Sequence, residues 1–272
     1  MNTEEIMKVA LKLSGLTEIP SDSCISVPGD NIKKVIFGVD METAELMLAK
    51  ELGYDLVISH HPKADEGMVD FHEVMDVQID KMVSFGVPIN KAQKALRKQQ
   101  KTVEIAHHVA NYDRTSSAAR LLGLPYMNIH IPADLIGERY VQGALDDAFL
   151  GKKYTTLEDV IDELSSLDAY KNAKTKPVIR CGGALDYAGK IAVLFAGGTN
   201  GGEDVYKAYF DAGVGTIIAM HAPENVIKAV REQNVGNIIV AGHMASDTIG
   251  IKVIIKALEE KGLNITATSG VL

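Results

Sequence analysis

The sequence predicts an α/β protein built from two related β/α lobes that face each other across a cleft. Three observations carry this prediction. Short apolar runs alternate with stretches of helical periodicity early in the chain, and the alternation returns in its last third. Glycines that close helices, Gly53 and Gly213, stand directly ahead of such runs. The two segments also echo each other: a histidine follows each glycine by eight positions (His61 and His221), with Pro62 and Pro223 just beyond. The expected lobes are residues 1–135 and 136–272, interlinked rather than joined by a flexible linker.

Residues 1–15 place Ile6, Val9, Ala10 and Leu13 on one helical face, with Gly15 as the stop. Val35 to Asp40 reads as a buried strand and residues 42–52 as a helix stopped at Gly53. A second strand, Asp55 to Ser59, runs into His60-His61-Pro62. Such a unit pairs its strands in parallel through a right-handed crossover. Helices are expected over 74–85 and 91–122, the second weakened near Asn111-Tyr112-Asp113 and closed by Gly123-Leu124-Pro125. Residues 128–138 read as strand and loop, and 157–167 as a helix capped by Thr155 or Thr156. The alternation then returns with strand 190–195, Gly-rich 196–202, helix 203–212 and strand 216–221. A helix from Glu224, strand 237–241, helix 247–261 and strand 264–268 complete it.

Composition narrows the class. With 46% hydrophobic and 24% charged residues over 272 positions, the chain can bury a core and is not disordered. Its 28 Lys+Arg against 36 Asp+Glu, a net charge of −8, argue against bulk electrostatic binding of nucleic acid. No apolar run approaches the roughly 18–20 residues of a membrane span, and the acidic start carries no signal-peptide pattern. Cys24 and Cys181, far apart, fit a reducing cytoplasm and exclude a disulfide scaffold or thiolate zinc site. Of eight histidines, four form two doublets.

Three clusters could carry chemistry. In Ser59-His60-His61-Pro62, adjacent strand side chains would point to opposite faces. Pro62 bends the chain and lets both imidazoles project beyond the carboxyl end of the sheet, where α/β proteins place ligands. The plain alternative is a pair of strand-capping histidines. In Gly242-His243-Met244-Ala245-Ser246-Asp247, an imidazole and a carboxylate four positions apart can share a helical face and a cation; Asp247 or Ser246 is equally well placed as a helix N-cap. In Ala106-His107-His108-Val109-Ala110-Asn111-Tyr112-Asp113, the carboxylate could bridge two cations or cap the next helix. Imidazole and carboxylate without thiolate suit Zn²⁺, Fe²⁺, Mn²⁺, Co²⁺ or Ni²⁺.

Gly38-Val39-Asp40, the strand running into His60-His61-Pro62, and Gly242-His243 with an acid four residues on resemble the NIF-three-like proteins, often described as GTP cyclohydrolase 1 type 2 homologs. The likeness spans most of the chain. It implies a two-lobed fold with a dinuclear metal site and a ring-shaped homohexamer, and the length leaves no room for the middle domain of longer relatives. It makes His60, His61, Asp113, His243 and Asp247 the expected metal ligands, holding two divalent transition-metal ions. The family's middle motif is His-Thr-Asn-Leu-Asp, with four positions from His to Asp, whereas His108 and Asp113 are five apart; Asp247 stands where the family usually has Glu. His221 stands as an added ligand or proton carrier, or as a buried neighbour. His107, His72 and His130 are assigned to structure or solvent.

Two functions follow. One is a cytoplasmic metal-dependent hydrolase acting on a nucleotide or related small molecule, GTP cyclohydrolase-like by resemblance, or a phosphoesterase. The other is a metal-binding or regulatory oligomer without catalysis. Gly-rich 196–202 ahead of a helix could cradle a phosphate but lacks the Lys and Ser/Thr of a P-loop. Lys91, Lys94, Arg97, Lys98 and Lys101 could steer an anion or form a solvated face.

Overall fold

In chain order, the computed structural model, which describes residues 1–272, contains α1 (Thr3–Ser14), β1 (Cys24–Val27), β2 (Lys34–Gly38), α2 (Thr43–Glu51) and β3 (Leu56–Ser59). There follow α3 (Asp65–Val69), a 3₁₀ turn (Phe71–Asp76), α4 (Val77–Ser84), α5 (Ile89–His108), α6 (Arg114–Leu122), β4 (Tyr126–Asn128) and α7 (Ile131–Ala148). Next come α8 (Leu157–Ser166), α9 (Asp168–Asn172), β5 (Val178–Cys181), β6 (Lys190–Leu194), α10 (Glu203–Asp211) and β7 (Val214–Ala219). The chain closes with α11 (Glu224–Gln233), β8 (Asn237–Val240), α12 (His243–Glu259) and β9 (Asn264–Thr268). No helix is long and apolar enough to cross a membrane. The chain divides into two compact units that interleave along the sequence. One comprises residues 1–74, 102–136 and 247–272, the other 75–101 and 137–246.

The first unit holds a five-stranded sheet in the order β1-β4-β3-β2-β9. The strands β4, β3, β2 and β9 are parallel and β1 runs antiparallel to β4. All four residues of β3 are buried, as a strand covered on both faces requires, which is why it reads as a continuous apolar run. On one face Ile36, Val57 and Tyr126 pack with Leu46 and Ala49 of α2 and Ala119 of α6. The second unit holds a four-stranded sheet, β5-β8-β7-β6, with β8, β7 and β6 parallel and β5 antiparallel to β8. Ile217, Ile218, Ile238 and Ile239 form its buried centre, with Val205, Tyr209, Val226 and Val230 from α10 and α11 also buried.

Strand for strand the sheets correspond. The series β1, β2, β3, β4 and the series β5, β6, β7, β8 share one order and one set of directions, and each antiparallel pair carries a register shift. The echo between Gly53 and Gly213 is the local trace of this repeat. β9 is an addition that pairs with the free side of β2. At the equivalent side of β6, side chains of α7 take that place. The Gln142 amide accepts from the Val193 N–H at 2.9 Å and donates to the Ile191 carbonyl at 3.3 Å. The buried Glu138 carboxylate accepts from the N–H groups of Phe195 and Ala196.

Two expectations change. Residues 128–138, read as strand and loop, are strand only to Asn128, and from Ile131 they begin the eighteen-residue helix α7; Pro132 lies in its first turn, where a missing N–H costs no helical hydrogen bond. The helix expected over 247–261 starts at His243, so Asp247 lies inside α12 and is not its cap.

Candidate metal centre

β3 and β4 end side by side, Ser59 opposite Asn128. The ladder continues past the assigned ends: the His60 N–H donates to Gly38 O, the His61 N–H to Val39 O and the Ile129 N–H to Ser59 O. His60, His61 and His130 are therefore delivered to one place by hydrogen-bonded backbone. The His60 ring centroid lies 5.0 Å from that of His61 and 4.8 Å from that of His130. The two rings of the doublet thus lie beside one another, with the Ser59 hydroxyl donating to the His61 carbonyl at 2.8 Å.

Two carboxylates complete the cluster. Asp134 comes from the first turn of α7 and Asp247 from α12, and both are almost wholly buried. His60 Nε2 lies 3.3 Å from Asp134 Oδ1 and 3.7 Å from Asp247 Oδ1. His61 Nε2 lies 3.6 Å from Asp247 Oδ2, and His130 Nε2 lies 3.7 Å from Asp134 Oδ2. On each ring the other nitrogen is engaged. His60 Nδ1 faces the Ile129 carbonyl at 3.0 Å, His61 Nδ1 faces Asp40 at 2.9 Å, and His130 Nδ1 faces Asp22 at 2.6 Å. A carbonyl accepts only, so His60 carries a proton on Nδ1, and its Nε2 is the atom turned toward the two carboxylates.

α7 and α12 can approach this closely because α12 has no side chain at Gly250. A Cβ there would stand 1.9 Å from the carbonyl oxygen of Ala133, the residue just before Asp134.

The electrostatics follow from packing acids against imidazoles. Burial works against a charge on His60, but Asp247 and Asp134 outweigh it and raise its pKa well above the ordinary value. His130 is raised in the same way, its burial overcome by Asp134 and Asp22. His61 goes the other way, lowered to about 4 chiefly by burial and by the neighbouring His60 and His130, against the pull of Asp40. Asp40 itself is held far below the usual carboxylate range, first by the His61 hydrogen bond and then by Lys63, whose ammonium lies 2.8 Å away.

Two members of the cluster, His130 and Asp134, are missed by the reading of the sequence. The signal is present there: they are four positions apart, the spacing of the family's middle motif, directly after a strand. The pair His243 and Asp247 repeats it after β8, the counterpart of β4. Each repeat thus carries one His-x-x-x-Asp at the start of the helix that follows its fourth strand.

Asp113 is placed elsewhere and is absent from the groups whose donor atoms lie within 4.8 Å of one another. It stands half-exposed at the start of α6, bound by the Ser117 hydroxyl and the Arg120 guanidinium, which hold its pKa down. His108 ends α5. His107 stacks on Phe71 at 4.9 Å and faces the Met68 carbonyl. His221, exposed after β7, has its ring centroid 4.9 Å from that of His243. The Gly-rich loop 196–202 is filled by Gln78, whose amide donates to the carbonyls of Gly197 and Thr199. On α5, Lys91 pairs with Asp211 and Lys98 with Glu203.

Comparison with known proteins bears on this geometry. A structure from Sphaerobacter thermophilus described as a NIF3 superfamily protein is 37% identical, covers 99% of this chain and 98% of its own, and superposes with a TM-score of 0.96. The chain belongs to the NIF3 superfamily. Reduced HcgD from Methanocaldococcus jannaschii (15% identity, 98% and 97% coverage, TM-score 0.62) and a protein of Thermus thermophilus (18%, 98% and 97%, TM-score 0.58) are similar in fold. No protein-family model and no curated protein sequence matches the chain. In this NIF3 superfamily member the buried His and Asp groups are able to hold a metal ion.

Proposed function

We propose that the cluster is a two-metal centre and that the protein is a metal-dependent hydrolase of a nucleotide or related small molecule. The observation that carries this reading is the common orientation of three imidazoles. Each has Nδ1 engaged and turns Nε2 toward a buried carboxylate, His60 toward both Asp134 and Asp247, His61 toward Asp247 and His130 toward Asp134. Buried acids without a cation are costly, and His60 Nε2 and Asp134 Oδ1 are buried with no hydrogen-bond partner. The spacing also suits a shared ion. Donors about 2.1 Å from a tetrahedral cation lie about 3.4 Å apart, and the four imidazole–carboxylate distances are 3.3, 3.7, 3.6 and 3.7 Å.

His60, His61, His130, Asp134 and Asp247 would hold the ions. His243, one helical turn ahead of Asp247 on α12, joins them on the strength of that spacing. Divalent transition metals in such a site supply Lewis acidity toward water and toward a carbonyl or phosphoryl oxygen. The chain's own contribution is to fix the donors: Ile129, Asp40 and Asp22 set the ring orientations, and the close contact at Gly250 sets how near Asp134 and Asp247 come. Resemblance supports GTP or a phosphoester as substrate class and a ring-shaped homohexamer as the working form.

Elemental analysis of purified protein is expected to return about two first-row transition ions per chain, by analogy with two-metal sites. Retention of full metal content in both His60→Ala and His243→Ala would sink the assignment. A panel of GTP, generic phosphoesters and cyclic nucleotides, with Mn²⁺, Zn²⁺, Fe²⁺ or Co²⁺ supplied, tests the hydrolase. Metal bound without turnover on any of them would make this a binding protein.

A further inference from the structure

Asp22 is the least exposed carboxylate in the chain, at 0%, and lies in the turn before β1. One of its oxygens faces His130 Nδ1 at 2.6 Å; the other accepts from the Ser23 hydroxyl at 3.2 Å. Its segment is pinned on several sides. The Asn128 amide donates to the Asp22 carbonyl at 2.7 Å and accepts from the Cys24 N–H at 3.0 Å, while the His130 N–H donates to the Ser23 hydroxyl at 3.0 Å. Gly67 of α3 lets that helix close over the same spot, since a Cβ there would stand 2.9 Å from Asn128 Oδ1.

This much fixation around a buried acid whose partner is an imidazole is more than strand pairing needs. A carboxylate taken fully out of water is expensive unless its partner uses the charge. The other two rings are held differently, His60 by a neutral carbonyl and His61 by Asp40, which is 47% exposed and shared with Lys63. Resting on the metal-centre reading above, we propose that Asp22 is the positioning residue of the site. It holds His130 with Nε2 inward and raises the donor strength of that ring, so that His130 is the strongest imidazole ligand for a divalent cation. Carboxylates behind metal-ligating histidines act in this way generally.

The test uses the full-length protein, stripped with a chelator and titrated with Co²⁺ alone, following the visible absorption bands. Asp22→Ala is expected to weaken Co²⁺ binding about 10- to 100-fold and to change the bands. Asp22→Asn, which keeps an oxygen for the imidazole N–H, is expected to lose less, and Asp40→Asn less than Asp22→Ala. The thermal midpoint of each metal-free variant reports folding; if Asp22→Ala does not fold, Asp22→Asn must still weaken binding. Unchanged affinity and bands in a folded Asp22 variant, with or without a lower midpoint, overturn the proposal and leave the metal centre standing. A wild-type chain that takes up no Co²⁺ overturns both.

Discussion

The first unit ends β3 in His60-His61-Pro62, and the second ends the corresponding β7 in Met220-His221-Ala222-Pro223. The fourth strands are alike, with Gly242-His243 and Asp247 after β8 matching His130 and Asp134 after β4. At the second strands they part again: β2 is followed by Asp40, which faces His61, and β6 by glycines packed around Gln78. One strand order has therefore kept its His-x-x-x-Asp in both copies while only one copy carries the histidine doublet. The difference teaches that the topology supplies positions, and that residues one or two places past a strand end decide which positions become chemical.

The sharpest way to break the comparison is at the doublet. His60 alone stands within 4 Å of both Asp134 and Asp247, so His60→Ala is expected to remove essentially all bound metal in elemental analysis. Preserved stoichiometry would mean that the doublet is not what distinguishes the first copy. Next comes Gly250→Ala. The added methyl meets the Ala133 carbonyl, and overpacking of this kind costs about 1–3 kcal/mol. A lowered denaturant midpoint with weakened Co²⁺ binding is expected; an unchanged midpoint would show that α12 has room to move. A smaller contrast pairs His243→Ala with His221→Ala. The first, in the repeated motif, should lower metal content, and the second should change it less; equal losses would make His221 a ligand. Smallest is Asp113→Asn, which loosens only a solvent-exposed pair with Arg120. Metal content should not change, and a loss would return Asp113 to the site.

Much of the fold is legible in the sequence because burial writes itself into strands. Leu56-Val57-Ile58 and Ile238-Ile239-Val240 are apolar on both faces, and the glycines that end helices stand where the periodicity stops. The doublet before Pro62 is legible for the same reason, since a proline after a buried run marks the carboxyl end of a sheet. Residues 131–148 are harder. The stretch 128–138 reads as strand and loop, and with the helix unrecognised His130 and Asp134 have no element to bring them together. Asp113 is attractive because it follows a histidine doublet, but that doublet ends a helix and the acid begins the next one. The antiparallel first strand of each repeat leaves no such pattern, because β1 and β5 are short and only partly buried.

The side chains of Gln142 and Glu138, lying along β6, have a consequence beyond packing. An unpaired strand edge is a template on which another chain can crystallise its own backbone, the first step toward fibrils. In the first sheet a whole strand, β9, covers that edge beside β2. In the second, two residues of a neighbouring helix answer the same backbone groups that a strand would. Gln142→Ala would open that seam, and its cost would appear in turbidity on storage before it appeared in any measure of metal or catalysis.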